Sequence, residues 1–141
     1  VRPLDFGCLT TPSSQLLGER LTRIYDTVPE LVGEHEPDFV AVEESYVGAD
    51  PRYALTVGQA RGAILVACTK AGVESAEYPP STVKQAVCGS GAAHKEQVGR
   101  MLMKLLMLGE LLPDDESDAL ALAVCHLNSL SSIRELAPKP L

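Results

Sequence analysis

Three acids stand where carboxylate chemistry is feasible. Glu43 ends the apolar run Phe39-Val40-Ala41-Val42, and Asp115 and Asp118 lie three residues apart just after Pro113. In open α/β sheets ligands bind beyond the carboxyl ends of strands, which makes Glu43 a candidate site residue. The competing reading is a strand exit that simply meets solvent. Side-chain alternation places Glu43 on one face with Ala41, and Glu44 on the other with Val42. Asp115, Asp118, Leu122 and Cys125 follow the three-and-four spacing of one helical face that is otherwise apolar. Two carboxylates ~5–6 Å apart on an inward stripe would suit a hard cation. Acids in a first helical turn also satisfy orphan N–H groups and favour the helix dipole, with Asp114 as the N-cap. Both readings stand at this point.

Two bases flank a glycine joint. Lys84 precedes Gly89-Ser90-Gly91 and Lys95 follows it. The joint lacks the further glycine of a dinucleotide fingerprint and the Lys-Ser/Thr pair of a P-loop. As a flexible hinge it could present both ammonium groups to a phosphate chain, or the lysines could be solvated loop flanks. Tyr46, one of four tyrosines in a chain with two phenylalanines and no tryptophan, is either packing or a stacking platform beside Glu43. His35 and His94 read as solvated, and His126 as a satisfied helix-end imidazole. The serine pairs at 13–14 and 131–132 have no base near them in sequence and receive no nucleophilic role. Cys8, Cys68, Cys88 and Cys125 form no CxxC pair and no zinc spacing; three of them sit in apolar or small-residue runs and read as small buried thiols, which suits a reducing compartment.

The elements that must position these groups follow from apolar periodicity. Residues 6–9 suggest a short strand. Leu17, Leu21, Ile24, Val28 and Leu31 recur at helical intervals, with Gly33 as the expected stop. Phe39 to Val42 suits a strand buried on both faces. Asp50-Pro51 supplies an N-cap and a first-turn proline for a helix reaching about Lys70, apolar on nearly all sides and therefore expected to be buried. Residues 72–78 read as turn and strand, and Pro79-Pro80-Ser81 caps a short helix through Val87. A basic amphipathic helix carries Lys95, Arg100 and Lys104 among Val98, Met101, Leu102, Leu105 and Leu106. The final helix starts at Pro113-Asp114 and is expected to end near Leu130. Residues 131–141 read as a polar tail behind a domain of residues 1–130. Strand–helix–strand–helix order argues for an α/β fold with parallel pairing.

Composition bounds the class. A length of 141 residues suits one domain, which buries roughly 65–70% of its unfolded surface and needs no disulfide or metal staple. Apolar residues at 45% and charged residues at 22% are globular proportions. Twelve Lys and Arg against nineteen Asp and Glu give a net charge of -7, which argues against nucleic-acid recognition by bulk charge but leaves room for a local basic groove. No apolar run approaches the ~18–20 residues of a membrane span, and the N-terminus has no signal-peptide pattern. A cytoplasmic protein is the expectation.

Four motifs, taken together and in order, are specific. Ala41-Val42-Glu43, then Gly58-Gln59-Ala60-Arg61-Gly62, then Val83-Lys84-Gln85-Ala86-Val87 with Gly89-Ser90-Gly91-Ala92, Lys95 and Gln97-Val98, and finally Asp115-Glu116-Ser117-Asp118-Ala119-Leu120-Ala121 resemble the RuvC-type Holliday junction resolvases. The register runs from about residue 7 to residue 127. The resemblance implies an α/β, RNase H-like fold with a mixed sheet flanked by helices. It implies a bacterial homodimer that resolves four-way DNA junctions by metal-dependent, symmetric hydrolysis in recombination and repair. Carried over, Glu43, Asp115 and Asp118 resemble the metal-binding carboxylates, for two Mg²⁺ ions per subunit with Mn²⁺ as a substitute. Lys84 resembles the basic residue near the scissile phosphate, Tyr46 the aromatic next to the site, and Lys95 a second DNA-facing base. The helix bearing Gln59 and Arg61 resembles the family's dimer-forming helix, and the RuvA–RuvB branch-migration complex is the implied partner.

One departure bears on activity. The family opens with a strand carrying Asp-Pro-Gly, whose Asp is a further metal ligand, and then a second strand; here Val1 to Thr11 aligns with the third. Asp5 falls out of register with that Asp and is not assigned to it. With Val1 rather than Met at the start, the sequence is expected to be incomplete. Two other hypotheses follow: a non-catalytic remnant that only dimerises or binds junction DNA, and another RNase H-like nuclease with a different substrate.

Overall fold

The chain folds as α1 (Leu17–His35), β1 (Phe39–Glu43), α2 (Pro51–Ala71), β2 (Glu74–Tyr78), α3 (Pro80–Cys88), α4 (Lys95–Leu105) and α5 (Asp114–Leu136). The structure is a computed structural model that describes residues 1–44 and 50–136. Two compact units emerge: a sheet unit of residues 9–77 and a helical unit of residues 1–8 and 78–141.

In the sheet unit, α1 packs against α2, and β1 and β2 are hydrogen-bonded neighbours joined through α2. The expected α/β class holds. Among the described residues the sheet has two strands, and residues 6–9 adopt no strand, because an extended segment becomes one only where a neighbouring backbone offers a ladder. α1 runs through Gly33 and stops at Glu36, whose φ of 46° is left-handed and whose N–H reaches the Val32 carbonyl. An exposed helical glycine costs only about 0.5–1 kcal/mol relative to alanine. Pro37 decides the end instead, since the residue before proline is driven out of the right-handed helical region. Strand β1 is half-buried rather than buried on both faces, and of its residues only Val42 is buried.

α2 begins as its sequence predicts. The Asp50 carboxylate accepts the Arg52 N–H at 3.0 Å, Pro51 occupies the first turn, and Gly72 at φ 75° closes the helix. Its expected burial is not met within this chain: only Ala67 and Cys68 are buried. Leu55 and Val66 are 66% and 54% exposed, and Gly62 between them is exposed too. Leu55, Gln59, Gly62 and Val66 follow one another at intervals of four, three and four, so they share a single open stripe. A helix apolar all round needs cover on every side, and α1 with a two-stranded sheet covers only part of it. Arg61 lies off this stripe and pairs with Glu77 of β2.

The helical unit packs α3, α4 and α5 against one another. Its core joins Val83 and Val87 of α3, Val98 and Leu102 of α4, and Leu120, Ala121, Val124 and Cys125 of α5. Leu102 is 1% exposed, and burial of such a side chain contributes about 1.5–3 kcal/mol. Met101 and Leu105, expected among the apolar face of α4, are exposed. α5 extends beyond Leu130 to Leu136, so residues 131–136 are helical, and Asp114 is its first residue rather than its N-cap. His126 is therefore mid-helix. The Tyr78 hydroxyl hydrogen-bonds its Nδ1 at 2.7 Å and Ser129 Oγ at 3.0 Å.

Candidate active site

The buried face of α5 determines where its acids lie. Ser117, Leu120, Ala121, Val124 and Cys125 are buried and form the stripe that faces α3 and α4. Asp115 is exposed, and Asp118 and Leu122 are half-buried. The two carboxylates thus flank the core face and open to water, which corrects the expectation of an inward stripe. Burying two unpaired carboxylates would cost several kcal/mol each, whereas a flank keeps them hydrated.

Each carboxylate has a tertiary partner. Cys8 Sγ donates to Asp115 Oδ2 at 3.7 Å, from a point 107 residues away in the chain. Desolvation, then the negative charge of Asp115 and its hydrogen bond, with Glu116 adding to them, push the Cys8 thiol above its ordinary pKa. Lys95, the first residue of α4, extends its Nζ to 3.4 Å from Asp118 Oδ2 and 3.7 Å from Asp114 Oδ2. The Asp118 carboxylate foremost, with Asp114 in support, raises the Lys95 pKa against a smaller opposing desolvation. An ammonium already bridges the acidic start of α5.

The glycine joint is pinned rather than loose. Gln85 Nε2 donates to the Gly89 carbonyl at 3.1 Å, and Gln85 Oε1 accepts the Gly91 N–H at 3.1 Å. Gly89 takes φ 75°, a left-handed conformation natural to glycine, and a Cβ on Gly91 would meet the Ser81 carbonyl oxygen at 3.2 Å. This junction sets the start of α4 and with it Lys95. Lys84 is half-buried on α3, next to the core residue Val83. His94 is exposed before α4, and its N–H donates to Gln97 Oε1 at 2.8 Å.

Asp115, Asp118, Lys84 and Lys95 therefore belong to the helical unit, while Glu43 is the exposed last residue of β1 in the sheet unit. Tyr46 lies outside the described residues. Within the helical unit no third His, Cys, Asp or Glu among the described residues completes a metal cluster with the aspartates. Two hard carboxylates nevertheless suit Mg²⁺, which is held by one or two carboxylates, waters and substrate phosphates rather than by an all-protein cage. Sequence reasoning missed Cys8 and the Asp114–Lys95 pair. The cysteine carries no local signal, and Asp114 was indistinguishable from a helix cap.

Comparison with known proteins places the chain in a family. The family model described as crossover junction endodeoxyribonuclease RuvC matches residues 1–126. The RuvC of Syntrophomonas wolfei is 46% identical over 138 residues, covering 96% of this chain and 80% of that protein. The RuvC of Halorhodospira halophila is 47% identical over 126 residues, covering 89% and 75%. The solved Thermus thermophilus RuvC structure superposes with a TM-score of 0.84 at 38% identity, over 99% of this chain and 83% of the other. The same protein in complex with a Holliday junction substrate gives 0.83 at 36% identity, over 93% and 81%. By sequence along most of its length and by fold, the chain belongs to the RuvC family of crossover junction endodeoxyribonucleases.

Proposed function

We propose that this chain is a Holliday junction resolvase, a structure-selective endonuclease that places symmetric nicks in four-way DNA junctions during recombination and repair. The observation that carries this reading is the match, over 93% of the chain, to a relative solved on a Holliday junction substrate. By family likeness the metal-binding carboxylates are assigned as Asp115 and Asp118 on α5 and, in the sheet unit, Glu43 at the end of β1, for Mg²⁺ at two ions per subunit with Mn²⁺ as a substitute. A bound ion of this kind supplies Lewis acidity, lowering the pKa of water and offsetting charge on the leaving oxygen. In the hydrolysis a water oxygen bonds to phosphorus, the P–O3′ bond breaks, and the 3′ oxygen leaves as a hydroxyl once protonated. Lys84 offsets the extra negative charge on the phosphorane. Lys95 contacts a DNA phosphate near the cut, and Tyr46 is assigned to DNA binding by family likeness alone.

Two such sites related by a two-fold axis match a junction that is itself nearly two-fold. The open stripe of Leu55, Gly62 and Val66 on α2 supports a homodimer, because an isologous contact would cover the face that α1 leaves bare. The RuvA–RuvB complex and the bacterial cytoplasm complete the reading by family likeness. No described helix is long and apolar enough to cross a membrane.

The test compares cutting of a four-way junction, a linear duplex and an RNA–DNA hybrid, with and without Mg²⁺. Paired, Mg²⁺-dependent nicks confined to the junction are expected, and Asp115→Asn or Asp118→Asn should lower the rate by about 10²-fold or more. Preference for the hybrid would assign a different nuclease. Junction binding without any cutting would leave only a DNA-binding role.

A further inference from the structure

Lys95 holds a position that the proposed metal-binding role of Asp118 does not require. Its ammonium lies 3.4 Å from Asp118 Oδ2 and 3.7 Å from Asp114 Oδ2, so a tethered monovalent cation already bridges two acids at the start of α5. We propose that Lys95 is a built-in counterion of the metal site, which neutralises Asp118 while the site is empty and must be displaced from it before a divalent cation binds there. This inference rests on the assignment of Asp118 as a metal ligand and goes beyond it by giving Lys95 a second, metal-linked position.

Three features of the structure support displacement over a fixed structural ion pair. The Lys95 side chain is 64% exposed and that of Asp118 45%, so water screens the pair and its rupture is inexpensive. Lys95 is the first residue of α4, directly after the junction at residues 89–94, and its four-carbon stem can swing without moving the helix. Asp114, exposed in the first turn of α5, gives the ammonium its second acceptor. The Lys95 ammonium and a divalent cation seek the same oxygen. Two cations that compete for one carboxylate are thermodynamically linked, so each weakens the other's hold on Asp118. Once displaced, the ammonium is available to a phosphate oxygen, the acceptor that DNA brings.

Mn²⁺ titration of the DNA-free protein, followed by the loss of the free-ion electron paramagnetic resonance signal, tests the idea without any turnover. Lys95→Gln removes the competing charge and should bind Mn²⁺ several-fold more tightly than wild type, roughly three- to tenfold given the modest strength of an exposed pair. Asp118→Asn should bind more weakly. Nuclear magnetic resonance of the lysine side chains provides an independent readout in unmodified protein: the Lys95 Cε signal should move on addition of Mg²⁺, and should not move in Asp118→Asn. Mn²⁺ affinity in Lys95→Gln equal to or below wild type, with affinity lost in Asp118→Asn, would overturn the counterion role and leave the metal site standing. Undiminished affinity in Asp118→Asn would remove the metal site, and the inference with it.

Discussion

At the scale of single residues, this chain spends its acids and bases on each other before any substrate arrives. Asp118 faces Lys95 and Asp115 faces Cys8, while Lys84 sits half-buried beside the helical core. If Lys84 offsets charge that appears only in the transition state, Lys84→Ala should reduce junction cleavage by about 10²- to 10³-fold with little change in junction affinity. Single-turnover cutting measured beside a binding isotherm separates the two, and an unchanged rate would remove the role. The thiols divide by environment. Burial pushes the Cys68 and Cys125 thiols up and encloses them, whereas Cys8 is exposed. Timed alkylation followed by mass spectrometry should therefore label Cys8 first, and Cys68 and Cys125 only on unfolding.

At the scale of elements, the turn between α3 and α4 determines where Lys95 begins. Gln85 stitches both glycines of that turn through its amide, a role that neither its sequence position nor its exposure announces. Gln85→Ala removes two hydrogen bonds in water-accessible surroundings. It should lower stability by about 1 kcal/mol, read as a shift in urea midpoint at constant slope. A larger consequence is expected at the site, because a loosened turn no longer fixes the first residue of α4. The end of α1 carries a similar lesson. Gly33 looked like the stop, yet Pro37 imposes it at Glu36, since steric exclusion before proline outweighs the small cost of a helical glycine.

For the whole molecule, the salient feature is the apolar surface left on α2. Leu55 and Val66 present large exposed side chains on one stripe, with Gly62 between them permitting close approach of a second backbone. If this stripe is the contact of the proposed homodimer, Val66→Asp should leave a monomer in sedimentation equilibrium while circular dichroism stays native, because the substituted side chain faces solvent in the single chain. Dimerisation unaffected by both Val66→Asp and Leu55→Asp would place the interface elsewhere. In the proposed dimer paired nicking depends on two sites acting together, so such a monomer should yield mainly single nicks.

Local chemistry made much of this molecule legible in its sequence. Asp50-Pro51 marked the start of α2, the apolar run at Phe39 marked β1, and four ordered motifs marked the family, because caps, periodicity and motif spacing are properties of neighbouring residues. Tertiary structure decided the rest. Whether Asp115 and Asp118 face the core or flank it depends on which side of α5 meets α3 and α4, a choice the apolar pattern left open by one position. Cys8 reaching Asp115, and Lys95 reaching Asp114 and Asp118, join residues far apart in the chain, and such contacts exist only after packing brings their backbones together. The bare stripe on α2 could not be read from its apolar pattern, although family resemblance pointed to that helix: composition tells how much apolar surface a helix carries, and only its packed neighbours tell how much of it remains uncovered.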